Sequence, residues 1–256
     1  MIQQIGNEAS IQKKDLKIRK ALADSNKSTI AKYQDFVIGR GGWGSLIKYE
    51  LIITLCSWLP GALGLLLRSK LYPLLLGKVG RNVVFGTNVT FRHPHKIFIG
   101  DNVVIDDNCF IDAKGVRNKG IFIGNDVFLG RNGILSCKDG DIHLEDGVNI
   151  GFNCEIFSSN KVILRKNALV AAYCYFVGGG NYDLSRTDIS FAEQEGLDSK
   201  GGIDIGANSW IAASTTVLDG VTIGQDSVIG AGAVVRESIP ANSIAVGVPA
   251  RVVKSR

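Results

Sequence analysis

Between Gly202 and Val235 an aliphatic residue returns at every sixth position: Ile205, Ile211, Val217, Ile223, Ile229 and Val235. A small residue follows most of them directly, at Gly206, Ala212, Gly224 and Gly230. A period of six is neither the 3.6 of a helix nor the 2 of an ordinary strand. It fits a short strand plus a tight corner, repeated so that one apolar side chain per corner turns inward. Repeats of this kind stack into a parallel β-helix. A single coil cannot bury its own apolar positions, so each layer must cover the next.

The same beat reaches far upstream. Phe85 and Phe91 lead it, followed by Ile99, Ile105 and Ile111, then Ile123, Leu129 and Leu135. Leu144, Ile150 and Ile156 continue it, and Leu164, Val170 and Phe176 bring it to the final run. About seven layers result, a column of roughly 30 Å or more at ~4.8 Å per layer. Extra residues enter after Phe91, Ile111, Leu135, Ile156 and Phe176, always at one corner of the coil. Insertions kept to one edge mark the face that carries function. The longest spans 177–202, and a loop of that length in a compact repeat domain is expected to be functional.

The expected organisation is an all-β fold, a parallel β-helix over 81–256, preceded by a polar arm (1–44) and an apolar helical segment (45–80). The arm, with Lys13, Lys14, Asp15, Lys17 and Arg19 close together, reads as a marginal helix or a mobile tail. Residues 51–67 carry no charge, but Pro60-Gly61 interrupts them, and a spanning helix wants about 20 apolar residues. Two readings stay open. In one, two short helices pack on the open end of the column or on a neighbouring subunit. In the other, favoured by so much apolar surface in one stretch, the segment dips into one leaflet. Trp58 and Tyr72 then sit near the interface, with Arg68, Lys70, Lys78 and Arg81 at the headgroups. At the far end Pro240 and Val248-Pro249-Ala250-Arg251 bound a cap for the last layer.

Composition narrows the classes. Thirty-one glycines against five prolines suit many tight corners rather than a disordered linker. The net charge of +5 allows anionic ligands or lipid surfaces, but no basic block suggests nucleic acid. The first residues lack a signal-peptide layout, so a cytoplasmic location is expected, peripheral on the inner face of the membrane if the leaflet reading holds. Five cysteines lack C-x-x-C spacing, and neither zinc nor a disulfide framework is expected. Cys109, Cys154 and Cys174 each precede an inward residue by two positions and read as a column of small buried side chains.

Two stretches, I-D-I-G-A-N-S-W-I-A-A and I-G-A-G-A-V-V-R-E-S-I-P-A-N-S-I-A-V-G-V-P-A-R-V-V, resemble the hexapeptide-repeat acyltransferases, bacterial sugar O-acetyltransferases in particular. The resemblance covers roughly Val83 to Lys254. It implies a left-handed β-helix, a homotrimer, and acetyl-CoA held in grooves between adjacent columns. The apolar Leu-Pro-Gly segment resembles the membrane-proximal preface of some polysaccharide acyltransferases. The family's catalytic residue is a loop histidine five positions past the last inward residue, and here that position is Asn181.

Asparagine cannot take a proton from a sugar hydroxyl, though it can orient one or stabilise an oxyanion. Asp183 is the nearest carboxylate that could be the base, provided burial under the loop raises its pKa; the plainer reading is a turn cap. His143, pointing outward below the long loop, is the alternative base. His93 and His95 flank Pro94 as turn residues, with an acceptor site near the membrane as a further role. Gly178-Gly179-Gly180 lacks the Lys-Ser/Thr of a phosphate loop, and a bend or a close backbone approach explains it better. For acetyl-CoA, Ala213 and Ala231 would let pantetheine lie flat, Trp210 would line the groove, and Arg251 and Lys254 would meet the phosphates. The expected activity is acetyl transfer to a hydroxyl of a sugar or lipid-linked sugar during cell-surface polysaccharide or lipopolysaccharide synthesis. The alternative is a β-helix scaffold or binding module that has lost its base.

Overall fold

A computed structural model describes residues 26–191, 193–194 and 199–256. The charged cluster at 13–19 lies outside the described residues. Within them, three parallel sheets of seven, nine and seven strands wrap one column of triangular section. The first face begins with β1 (Lys78–Val79), the second with β2 (Val84–Phe85) and the third with β3 (Thr90–Arg92), and every third strand rejoins the same face. Seven coils follow in this way, the left-handed β-helix that the resemblance implies.

The six-residue beat is the buried core: Phe85, Phe91, Ile105, Ile111, Leu129, Leu135, Ile150, Ile156, Phe176, Ile205, Ile211, Val217, Ile229 and Val235 are all fully buried. Two of the three corners turn through a residue of positive φ, three positions after an inward aliphatic. The first corner uses Asn82, Asn102, Asp126, Asn167, Asn208, Asp226 and Asn242, with Gly147 in the remaining layer. Asparagine and aspartate tolerate that left-handed conformation, and their side chains bond along the column. Asn82 donates to Asn102 at 3.1 Å, and Asn102 to Asp126 at 3.0 Å. The second corner starts the same way with Asn88, Asn108, Asn132 and Asn153. The third corner has no such ladder, and there the insertions enter. Cys109, Cys154 and Cys174 are buried free thiols as expected, with the Cys174 amide 3.4 Å from the Cys154 sulfur.

The upstream segment folds as helices on the open end of the column. A turn of helix, α1 (Thr29–Tyr33), continues as one π-turn to Ile38; then come α2 (Trp43–Cys56) and α3 (Gly61–Leu71), broken at Pro60. Tyr72 is fully buried, edge-on to Phe85 at 5.3 Å and to Phe91 at 5.1 Å. This corrects its expected place at a membrane interface. Arg68 is likewise not a headgroup residue: it is 2% exposed. Its guanidinium donates to the carbonyls of Phe85 at 2.9 Å, Cys56 at 3.1 Å and Leu59 at 2.6 Å. The break at Pro60 leaves the α2 carbonyls without helical partners, and Arg68 supplies the donors. The outer face of the helices stays open, with Trp43, Ile47, Leu51, Leu55 and Trp58 all more than half exposed. Among the described residues no helix is long and apolar enough to cross a membrane.

The C-terminal cap is a hairpin of β22 (Ser243–Val246) and β23 (Arg251–Ser255), antiparallel on the end of the second face. It covers the edge that the last coil would otherwise expose.

Candidate functional site

The long loop leaves the third face after Gly178 and returns at Ile203, one layer higher at the same corner. Its glycines serve the bend. Gly179 has φ +138°, and a Cβ there would lie 1.6 Å from the Ser159 hydroxyl, so only glycine fits.

Asp219, in the corner above, holds both ends of the loop. It accepts from Asn181 Nδ2 at 2.7 Å near the start, and from the Ser199 hydroxyl and the Gly202 amide at 3.0 Å near the end. The Lys200 amide bonds to the same carboxylate. The carboxylate is 8% exposed, and four donors replace the water it has lost. Asn181 therefore presents its amide nitrogen to Asp219.

Asp183 departs from its expectation. It is exposed, and its carboxylate accepts from the Ser185 hydroxyl at 2.6 Å and the Ser185 amide at 2.9 Å. Those bonds hold its pKa below the usual carboxylate range, because they favour the charged form. The burial needed to raise it is absent, and the turn-cap reading is what the geometry shows. Its backbone does order the loop: Gln194 accepts from the Asp183 amide and donates to its carbonyl, both at 3.0 Å.

His143 lies outward on β10 (Asp141–Leu144), on the first face, and its ring stacks on Phe122 at 4.7 Å and 8°. Burial against that ring lowers its pKa, so the imidazole is neutral near pH 7 and able to accept a proton. Its strand lies three layers below Thr222, which follows the Asp219 corner, on the order of 14 Å along the column. No hydrogen bond joins it to the loop among the described residues.

Of the residues expected at acetyl-CoA, Ala213 and Ala231 lie on the second corner. The Ser214 amide donates to the Ala172 carbonyl at 3.0 Å, and the Gly232 amide to the Ala213 carbonyl at 2.9 Å. These bonds stack Ala172, Ala213 and Ala231 in successive layers. Beside them the asparagine ladder stops, and Tyr173, Ser214 and Gly232 take its place at φ of 62°, 59° and 69°. A tyrosine in that conformation is uncommon, and the corner imposes it there as it does on the asparagines of the layers below. Trp210, 47% exposed, stands midway on the second face, aligned with Leu169 and Val228. Arg251 and Lys254 lie on the hairpin that caps this face, and Arg251 pairs with Glu237 at 3.2 Å. The loop and the alanine strip thus occupy two corners of one layer set, with the third face between them.

His93 and His95 sit at the bottom of the column. His93 is buried, 3.6 Å from Asp112, with its Nε2 3.2 Å from the Asp35 carbonyl, and so ties the π-turn to the first coil. No cluster of three or more histidine, cysteine, aspartate or glutamate residues could hold a metal among the described residues.

Comparisons with known proteins agree with this architecture. Residues 202–237 match the family described as bacterial transferase hexapeptide (six repeats), and residues 78–113 match the hexapeptide repeat of succinyl-transferase. The galactoside O-acetyltransferase of Escherichia coli K12 is 29% identical over 187 residues, 73% of this chain and 68% of that protein. A Staphylococcus aureus Mu50 protein, named as a candidate acetyltransferase, is 37% identical over 124 residues, 43% of this chain. The chain spans 62% of that relative's length. Among solved structures, the N-acyltransferase AntD of Bacillus cereus, bound to dTDP and 3-hydroxybutyryl-CoA, superposes with a TM-score of 0.53 at 18% identity, over 79% of this chain and 91% of AntD. The polysialic acid O-acetyltransferase OatWY gives 0.51 at 19% identity, over 70% of this chain and 86% of OatWY. These two likenesses are of fold alone.

Proposed function

We propose that this chain, whose coils match hexapeptide-repeat transferase families, is an acyltransferase that moves an acetyl group from acetyl-CoA to a sugar hydroxyl. The match to the E. coli galactoside O-acetyltransferase, over 73% of this chain, carries the reading. The acceptor is a nucleotide- or lipid-linked sugar of a cell-surface polysaccharide or lipopolysaccharide, handled at the inner face of the cytoplasmic membrane. The open apolar face of α2 and α3 supports that placement.

Transfer needs a base for the hydroxyl proton, a donor for the developing oxyanion and a groove that aligns the thioester. His143 takes the base role, because its neutral imidazole can accept the hydroxyl proton, whereas the ionised Asp183 carboxylate is too weakly basic. The hydroxyl oxygen attacks the thioester carbonyl, the C–S bond breaks, and the proton held by His143 passes to the departing thiolate. The loop shapes the acceptor side, with Asn181 fixed by Asp219. Pantetheine lies along Ala172, Ala213 and Ala231, where no side chain stands in the way. Trp210 lines the groove, and Lys254 and Arg251 meet the phosphates.

His143 stands on the first face and the alanine strip on the second corner of one column, so a complete site draws them from neighbouring copies. The exposed Phe128, Leu169 and Trp210 along the second face supply the apolar surface for a homotrimer. Light scattering that returned a monomer mass at micromolar concentration would contradict the assembly. Isothermal titration with acetyl-CoA tests the donor; no heat of binding at millimolar cofactor would remove it.

A further inference from the structure

A cavity lies at the bottom of the column, away from the long loop and the alanine corner. It has a volume of about 430 Å³ and is bounded by α2, the turn after α3 and the His93–Lys96 corner. Arg40, Lys48 and His95 are its basic lining residues, and none of the residues lining it is acidic. No carboxylate pairs with Arg40 or Lys48 among the described residues. The His95 Nδ1 is buried without a hydrogen-bond partner. Burial, and then the Arg40 charge, push the His95 imidazole down to about 4, as an uncompensated positive field does.

The mouth of this cavity borders an apolar stripe. Trp43, Ile47, Leu51 and Leu55 recur every four residues of α2 and so share one side of it. They are 67, 53, 56 and 58% exposed. Lys48, one residue past Ile47 and three before Leu51, lies on the flank between stripe and cavity. Leu74, 54% exposed, forms part of the rim. A cationic pocket beside a lengthwise apolar stripe has the two halves of a phospholipid's chemistry.

We propose that this cavity seats the phosphate headgroup of an anionic membrane lipid, whose acyl chains lie along the α2 stripe. The proposal rests on the membrane-surface placement given above and is independent of acetyl transfer. Headgroup oxygens accept from Arg40 and Lys48, whose positive charge no lining carboxylate offsets.

The test is co-sedimentation of the full chain with phosphatidylglycerol or phosphatidylcholine vesicles. The parent should favour phosphatidylglycerol. The double variant Arg40→Gln/Lys48→Gln should lose roughly tenfold or more in affinity, since each surface cation near an anionic leaflet contributes measurably. Both residues are exposed, so the fold should survive. Lys119→Gln/Lys166→Gln, the same charge change on distant exposed lysines, should lose less than threefold. Leu51→Gln/Leu55→Gln should weaken vesicle binding while leaving the cavity intact. If the two lysine-only changes cost as much as the cavity pair, attraction is diffuse and the headgroup site is refuted, while membrane placement stands. A parent that ignores both vesicles refutes the placement and the site together. Binding of inorganic phosphate that depends on Arg40 and Lys48, with no vesicle binding, would assign the cavity to a soluble phosphate and overturn the lipid.

Discussion

Asp219 is the residue on which the order of the long loop depends most, and Asp219→Ala should release it. The substitution removes the acceptor for four donors: the Asn181 amide, the Ser199 hydroxyl and the amides of Lys200 and Gly202. Hydrogen bonds to a charged group contribute about 1.5–3 kcal/mol each, but exposed donors recover water when released. Lys200 is exposed and Ser199 half-buried, whereas the Gly202 amide is buried and has no such recourse. A net loss of roughly 3–5 kcal/mol follows, which raises the open population of the loop by about 10²–10⁴-fold. Limited trypsin digestion reads this directly, because Arg186 lies exposed within the loop and cleavage tracks the open population when opening is fast. Cleavage after Arg186 should accelerate by at least a hundredfold. The KM for the sugar should rise, while acetyl-CoA affinity stays within about twofold, since Ala213 and Ala231 lie at another corner. Unchanged cleavage together with unchanged acceptor kinetics would refute the staple.

Three further outcomes follow from the same geometry. His143→Gln should cut turnover by about 10²–10⁴-fold with little change in cofactor affinity, and Asp183→Asn should cost only a few fold; the reverse order would return the base to the loop. Arg68→Met leaves two buried carbonyls, of Cys56 and Phe85, and the half-buried one of Leu59 without donors and should destabilise by roughly 3–5 kcal/mol, seen as a fall of about 6–20 °C in Tm, whereas a shift under 2 °C would mean that water replaces the guanidinium. His95 titrates near about 4 in the fold against 6.5 when unfolded, so the unfolded chain binds the extra proton between those values. Its contribution is therefore complete above pH 6.5 and lost as the pH falls toward 4; His95→Gln should flatten that part of the stability curve, and an identical slope in parent and variant would sink the assignment.

The column was readable because each coil repeats one packing problem: Ile205, Ile211 and Val217 face the axis for the same reason as Phe85 and Phe91. The corners were readable too, though the six-residue beat alone misses them. The signal is the asparagine or aspartate three positions after an inward residue, as at Asn102 and Asn208, where the left-handed turn needs it. Its loss at Tyr173 and Ser214 singles out the alanine corner. Asp219 carried a weaker signal, a lone aspartate before Gly220 at the corner one layer above the long insertion. Its four partners lie 17 to 38 residues away, so no local pattern could show them. The apolar segment misled for a physical reason. Tyr72 and Arg68 look alike on an amphipathic helix and at a membrane edge, and only the open end of the column, with bare carbonyls at the Pro60 break, decides that both are buried. Asp183 was misjudged in a similar way: Ser185, two residues on, supplies the bonds that keep it ionised and exposed.

The measurement that tests the account most directly is release of free coenzyme A thiol from acetyl-CoA, followed with and without a panel of nucleotide-linked and lipid-linked sugars. Acyl transfer predicts release that depends on one class of acceptor, with equimolar O-acetyl sugar and loss of both in His143→Gln. Acetyl-CoA binding with no acceptor-dependent thiol across the panel would contradict it and leave a β-helix that binds without turning over.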